Sequence, residues 1–292
     1  MATCYRHPRV ETGVSCSSCG RPICPDCMTP TPVGMRCPEC ASERTRVTHG
    51  PTAAAGGRLG DAPATIVLIA LSVVAFMAEL GTGSGGLSSA TSPLIGDFGL
   101  VGAGVADGEW YRLVTSGFLH AGLMHLGFNM VALWFLGKVL EPSIGTVRFV
   151  LIYFASLLAG SFGAVLLSEN YAVTVGASGA VFGIFGATFV IARGRGLGNI
   201  ANQIGLILGI NLLLTFTISG ISIGGHIGGL AAGLLCGILV IAGERGQLGG
   251  SAKLIEYGGM ILIGVIAVAG ALAASEPLTG VRFYTGALGL PF

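Results

Sequence analysis

Seven apolar runs of membrane-spanning length, at about 64–80, 122–140, 147–168, 177–192, 200–218, 223–242 and 254–274, constrain this chain more than any other feature. A hydrocarbon core about 30 Å thick takes about 20 helical residues to cross. Lipid offers no partner for a backbone amide, so each run must satisfy its own N–H and C=O groups as a helix. The expected fold is therefore an all-α polytopic membrane protein. Composition agrees, with 52% hydrophobic and only 10% charged residues, a balance that excludes an ordinary soluble enzyme.

Charge predicts the orientation. Of the 15 Lys and Arg, seven precede the first run (Arg6, Arg9, Arg21, Arg36, Arg44, Arg46, Arg58) and six lie in alternate connections (Lys138, Arg148, Arg193, Arg195, Arg245, Lys253). Only Arg112 and Arg282 remain for the other face. That imbalance expects a cytoplasmic N-terminus and a C-terminus outside. The first apolar run begins only near Ala64, so no secretory signal peptide is expected before it.

The first 40 residues read as a separate metal-binding module. Cys4 and His7, Cys16 and Cys19, Cys24 and Cys27, and Cys37 and Cys40 form four ligand pairs, each with a two-residue gap that lets both side chains face one tetrahedral ion. Eight ligands suffice for two closed structural Zn²⁺ sites, while Cys236 stands far away in an apolar run. An odd number of cysteines on the reducing side of a membrane argues against disulfides. The arrangement resembles a B-box-type zinc finger. That resemblance implies interleaved pairing, Cys4, His7, Cys24 and Cys27 on one ion and Cys16, Cys19, Cys37 and Cys40 on the other, although the spacing alone fits sequential pairing equally well. A module of this size buries too little surface to fold unaided, so metal supplies its folding energy. Residues 41–62, rich in Thr, Ala, Gly and Arg, read as a flexible linker. The module leaves room for a cytoplasmic protein partner, and no nucleic-acid partner is expected.

Within the membrane part, polar groups are costly and therefore informative. Ser178 stands at the head of an apolar helix between Gly176 and Gly179, where unpaired backbone N–H groups can hold an oxyanion. Alone, such a serine reads equally as a helix cap in a chain with 50 glycines. His125 and Asn129 are four apart, so they share a helical face and both can donate hydrogen bonds. They could instead tie two helices together. Gly225, Gly229, Gly233 and Gly237 recur at i+4 and strip one face of the sixth span, with His226 at its outer end. Matching small positions at Gly179, Gly183 and Gly186 in the fourth span allow close packing that would bring His226 to the depth of Ser178, the arrangement a Ser–His dyad needs. Trp110 and Tyr111, in the loop after the first span, also suit simple interfacial anchoring. None of the 14 carboxylates falls in the middle of a span, so a dyad rather than a triad is expected. No H-E-x-x-H string and no G-x-G-D on a helix is present, which leaves metalloprotease and aspartyl chemistries without their residues.

Trp110-Tyr111-Arg112, His120-x4-His125-x3-Asn129, Gly176-x-Ser178-Gly179 and His226-x-x-Gly229-x3-Gly233 occur in this order on the expected helices. Together they resemble the rhomboid intramembrane serine proteases over roughly residues 64 to 242. The resemblance implies a six-helix core at 63–242, with residues 243–292 adding a seventh span and an outer tail. It implies Ser178 as nucleophile, His226 as general base, and His125, Asn129 and the Ser178 N–H as oxyanion donors. Arg112 would order the first loop and His120 would support the site. Phe182 stands where a tyrosine often stacks on the base, and Gly225 replaces a bulkier neighbour. The implied activity is hydrolysis of transmembrane protein substrates near the outer face of a bacterial plasma membrane, with no catalytic cofactor. The competing expectation is a catalytically inactive rhomboid-like protein that binds membrane proteins for quality control.

Overall fold

The computed structural model describes residues 2–31, 34–42, 62–88 and 91–277. Most of the expected linker and the expected outer tail lie outside these residues. The chain divides into two compact units, 1–52 and 53–292.

In the first unit, strand β1 (Ala2–Thr3) pairs antiparallel with β2 (Glu11–Thr12), and β3 (Thr29–Thr31) with β4 (Gly34–Arg36), before a short helix α1 (Pro38–Ser42). The interior is almost entirely sulfur. Ile23 and six cysteines are buried together, with Tyr5 and Met28 the partly buried apolar side chains packed on them among the described residues. One aliphatic side chain cannot supply a stabilising core to a unit of this size. Outside that centre, Glu39 accepts from the Tyr5 phenol and pairs with Arg6. The Tyr5 phenol holds the Glu39 carboxyl down to about 2.

The second unit is a helical bundle. Its long helices are α2 (Pro63–Thr82), α6 (Leu123–Ile144), α7 (Thr146–Leu167), α8 (Ser178–Gly194), α9 (Gly198–Thr217), α10 (Ile223–Glu244) and α11 (Ala252–Ala274). Between α2 and α6 come three short helices, α3 (Pro93–Phe98), α4 (Gly102–Ala106) and α5 (Arg112–Thr115). All seven expected spans form helices at nearly the expected positions. Six are long and apolar enough to cross a membrane, and α8, with 17 residues, falls just short.

Local chemistry sets the helix ends. Pro63 opens α2 at the position where a missing N–H costs nothing. The next two amides, Ala64 N and Thr65 N, donate to the two Glu141 carboxylate oxygens at 2.9 Å each. A carboxylate from α6 thus satisfies orphan donors at the positive end of α2. Gly145 alone joins α6 to α7, at a φ of 88° that side-chain-bearing residues rarely adopt.

The core is a glycine-mediated stack in which α10 packs most extensively on α8 and α7. A β-carbon at Gly229 would lie 2.0 Å from the Gly179 carbonyl oxygen, and one at Gly233 2.0 Å from that of Gly183. Toward α7, a β-carbon at Gly224 would meet the Gly163 oxygen at 1.9 Å, and one at Gly228 the Ala159 oxygen at 2.2 Å. Two faces of α10 are therefore bare, one for each neighbour, and backbones approach to a separation no other residue permits. By contrast α9 packs chiefly on α8 and buries only Ala201, Leu208 and Thr215.

Among the described residues no carboxylate sits mid-span, yet Glu79, Glu141 and Glu256 are fully buried near span ends. Each has its partners there: Glu79 accepts from the His120 backbone amide, Glu141 from the start of α2, and Glu256 from Arg148.

Candidate active site

Helix α8 begins at Ser178, which is half-buried. Ala177 before it contributes no side-chain cap, so the first-turn N–H groups have no side-chain acceptor. The approach to this helix is held by Gly176, whose amide donates to the Ser116 carbonyl at 2.9 Å. Gly176 has a φ of 126°, and a β-carbon there would stand 2.6 Å from His125 Cε1 and 2.7 Å from His125 Nε2. Glycine is required twice over, by backbone conformation and by space. Its bareness lets the His125 imidazole lie directly against the turn that presents Ser178.

His226 lies in the first turn of α10, where Ser222 caps the helix by accepting from Gly225 N at 3.1 Å. Its buried ring stacks on Phe182, with centroids 4.0 Å apart and planes 18° from parallel. Phe182 is one turn beyond Ser178 on the same face of α8, so the stack brings the imidazole to the face that carries the serine. The phenyl ring supplies an aromatic surface without a tyrosine's hydroxyl. Among the described residues no hydrogen bond joins the Ser178 hydroxyl to His226. The ring's Nδ1 instead lies 2.7 Å from Thr215 Oγ1 of α9.

His125 and Asn129 share one face of α6, as their spacing requires. The Ala121 amide donates to His125 Nδ1 at 3.4 Å. A backbone N–H can only donate, so in the neutral ring the proton sits on Nε2, the atom beside Gly176. Asn129 is buried and its Nδ2 donates to the His125 carbonyl at 2.9 Å, which engages one of its two amide protons within its own helix.

His120 precedes α6 rather than opening it. Its buried ring meets His125 edge-on, centroids 5.2 Å apart, and its Nδ1 is 3.2 Å from the Phe118 carbonyl. Burial, with a smaller effect from His125, pushes its pKa down to about 4. Arg112 is also buried. Its Nη1 donates to the Gly96 and Gly99 carbonyls at 2.7 Å each, and its Nε to Glu109 at 2.6 Å. One guanidinium thus ties the end of α3 to α5 across the first loop. Gly179 sits in the helix crossing, where a β-carbon would be 3.2 Å from the Gly225 oxygen.

Two groups at the site were not singled out from the sequence. Thr215 is an ordinary small polar residue in an apolar run, four residues after Asn211. Glu79 stands at the very end of the first run, where an acid reads as a solvated helix terminus.

In the N-terminal unit the eight metal-ligand candidates gather as two sets, Cys4, His7, Cys24 and Cys27, and Cys16, Cys19, Cys37 and Cys40. Within each set the ligand atoms lie within 4.8 Å of one another, so the pairs are interleaved. Donors of three thiols and an imidazole, or of four thiols, suit a tetrahedral soft-to-borderline ion.

Residues 107–243 match the family model for the rhomboid domain. The chain carries a rhomboid domain. The matched region runs from the first loop to the end of α10 and so contains Ser178, His226, His125, Asn129 and Arg112. The chain is 37% identical over 179 residues to rhomboid protease GluP of Bacillus subtilis (strain 168), an overlap covering 60% of this chain and 34% of that protein. It is 38% identical over 126 residues to putative rhomboid protease YdcA of the same organism, covering 42% of this chain and 63% of that one. It is also 40% identical over 79 residues to inactive RHOMBOID-like protein 8 of Arabidopsis thaliana, covering 27% of this chain and 22% of the relative. The chain thus spans about a third of the first relative and under two thirds of the second. With its apolar helices, the rhomboid domain makes this an integral membrane protein.

Proposed function

We propose that this protein is an intramembrane serine endopeptidase that cleaves transmembrane segments of other membrane proteins with a Ser178–His226 dyad. The observation that carries the reading is the stack of His226 on Phe182, one helical turn from Ser178, at the uncapped start of α8 inside a rhomboid domain. In the proposed mechanism His226 Nε2 takes the Ser178 hydroxyl proton while Oγ attacks the scissile carbonyl carbon. The resulting oxyanion is met by the Ser178 N–H, His125 Nε2–H and the free amide proton of Asn129. The C–N bond then breaks, the leaving amine takes the proton from the imidazolium, and an acyl-enzyme ester remains. Water, deprotonated by His226, attacks the ester, and Ser178 regains its proton as the new carboxyl group departs.

A helical peptide bond is hidden by its own side chains, so a substrate span must partly unwind at the cut. Small or helix-breaking residues near that bond favour this. The positive-inside imbalance supports a cytoplasmic N-terminus and a site toward the outer face. In the N-terminal unit each ligand set would hold one structural Zn²⁺, which neutralises the thiolates and replaces the missing apolar core. The unit then serves as a cytoplasmic docking module with no part in the chemistry.

The test is incubation of the detergent-purified full chain with a tagged single-span substrate, beside a Ser178→Ala control, with both products sized by mass spectrometry. A discrete cut inside the apolar segment, absent from the control, is expected. Equal cleavage by both proteins rules the reading out, and no cleavage by either favours the inactive, binding-only alternative that the name of one plant relative raises.

A further expectation concerns the oxyanion donors. His125→Ala and Asn129→Ala should each lower kcat by roughly 10- to 1000-fold without loss of fold, because removing one preorganised donor typically costs about 2.7–4 kcal/mol and its neighbours compensate in part. Thermal melts establish the folded fraction, and unchanged activity per folded molecule assigns both residues to helix packing alone.

A further inference from the structure

We infer that Thr215 is a positioning residue that fixes the tautomer of His226, filling with a neutral hydroxyl the place an acid occupies in a Ser-His-Asp triad. The inference rests on His226 acting as the base, and it begins from a count of protons. Thr215 Oγ1 lies 2.7 Å from His226 Nδ1 and 2.8 Å from the Asn211 carbonyl oxygen, four residues back in α9. A carbonyl oxygen can only accept, and a hydroxyl has one proton. A helical threonine commonly gives that proton to the carbonyl one turn earlier. The lone pairs of Oγ1 are then left for Nδ1, which must carry a hydrogen and donate it. Nε2 is consequently unprotonated, with its lone pair available to take the serine proton.

The opposite assignment puts the threonine proton on Nδ1. It would leave the neutral ring protonated at Nε2, the wrong tautomer for a base. Burial strengthens the constraint, since Thr215 is 1% exposed and His226 is 8% exposed, which leaves little room for water to replace the hydroxyl. The buried carboxylates of the bundle do not take this role. Glu79, Glu141 and Glu256 bond to the His120 amide, the start of α2 and Arg148 respectively. A hydroxyl orients the ring as an acid would, yet carries no charge to stabilise the imidazolium.

The experiment uses the full chain in detergent, labelled with ¹⁵N-histidine, as the parent, Thr215→Val and Thr215→Ser, with the His226 ring signals assigned by their loss in His226→Ala. The parent is expected to show His226 protonated at Nδ1. Valine, of the same shape without the hydroxyl, should mix the tautomers and lower kcat for the single-span substrate about tenfold with little change in KM, whereas serine should restore both. A parent ring protonated at Nε2, or a valine variant with unchanged ring signals and kcat, overturns the inference. If Thr215→Val does not fold, the parent spectrum alone decides. If the parent shows the expected tautomer and cuts nothing, the protease reading fails and the tautomer assignment stands.

Discussion

Alanine at His226 is expected to slow peptide-bond cleavage by about 10⁴-fold or more, and the Ser178→Ala/His226→Ala double variant is expected to be no slower than either single variant. In the proposed dyad the two side chains act in one proton transfer. Once either is gone the other has nothing to do, so their losses do not multiply. What remains in all three variants is the residual contribution of substrate binding and the oxyanion donors, roughly 10³–10⁴ over water in serine proteases of other folds. Cleavage of the single-span substrate over hours, normalised to folded protein by thermal melt, measures the three rates. A fluorophosphonate probe supplies an independent readout, since it reports the nucleophile's reactivity without a substrate helix having to unwind. A double variant slower by the product of the single effects would mean that His226 does not act through Ser178.

Removal of metal is expected to unfold the N-terminal unit. Apparent binding energies of structural zinc in finger peptides are about 10–16 kcal/mol at neutral pH, far more than Ile23 and a layer of thiols can supply. Elemental analysis should find two zinc ions per chain, and hydrogen exchange through residues 2–42 should become fast on chelation while α2 to α11 keep their protection. Cys37→Ser should release one ion by breaking only the set that contains Cys16, Cys19 and Cys40. Retained protection after chelation, or a single ion per chain in the parent, would contradict the two-site description.

The helices were legible because a membrane leaves the backbone one solution and the apolar runs mark its length. Their packing was legible as well, since glycine every fourth residue from Gly225 to Gly237 states which face is bare. The ligand types of the N-terminal unit could be read from spacing, while the interleaving was implied only by the B-box resemblance and is matched by the two sets in the fold, because a two-residue gap orients a pair and says nothing about its partner pair. Thr215 was hidden for a different reason. It is 11 residues from His226, across the turn from α9 to α10, and its meaning depends on how those helices meet. Asn129 shows the same limit on a smaller scale. The i+4 spacing puts it on the face of His125, but that its amide folds back onto the His125 carbonyl is a matter of rotamer. The buried acids were misleading because position in a run reports depth along the membrane and not enclosure by neighbouring helices.

Under the proposed function, the shortness of α8 sets how far a substrate bond must travel to meet Ser178. Its 17 residues extend only about 26 Å along the axis, against a hydrocarbon thickness of about 30 Å. With the Arg193 end of α8 at one headgroup layer, as the proposed orientation requires, the Ser178 end stops a few Å beneath the other, and any tilt lowers it further. Under the proposed function, a bond is cut only if it reaches that depth, below the level at which loops of neighbouring proteins normally lie. On that reading, proteins whose only weak point is an exposed juxtamembrane stalk would be protected by geometry alone, whatever their sequence.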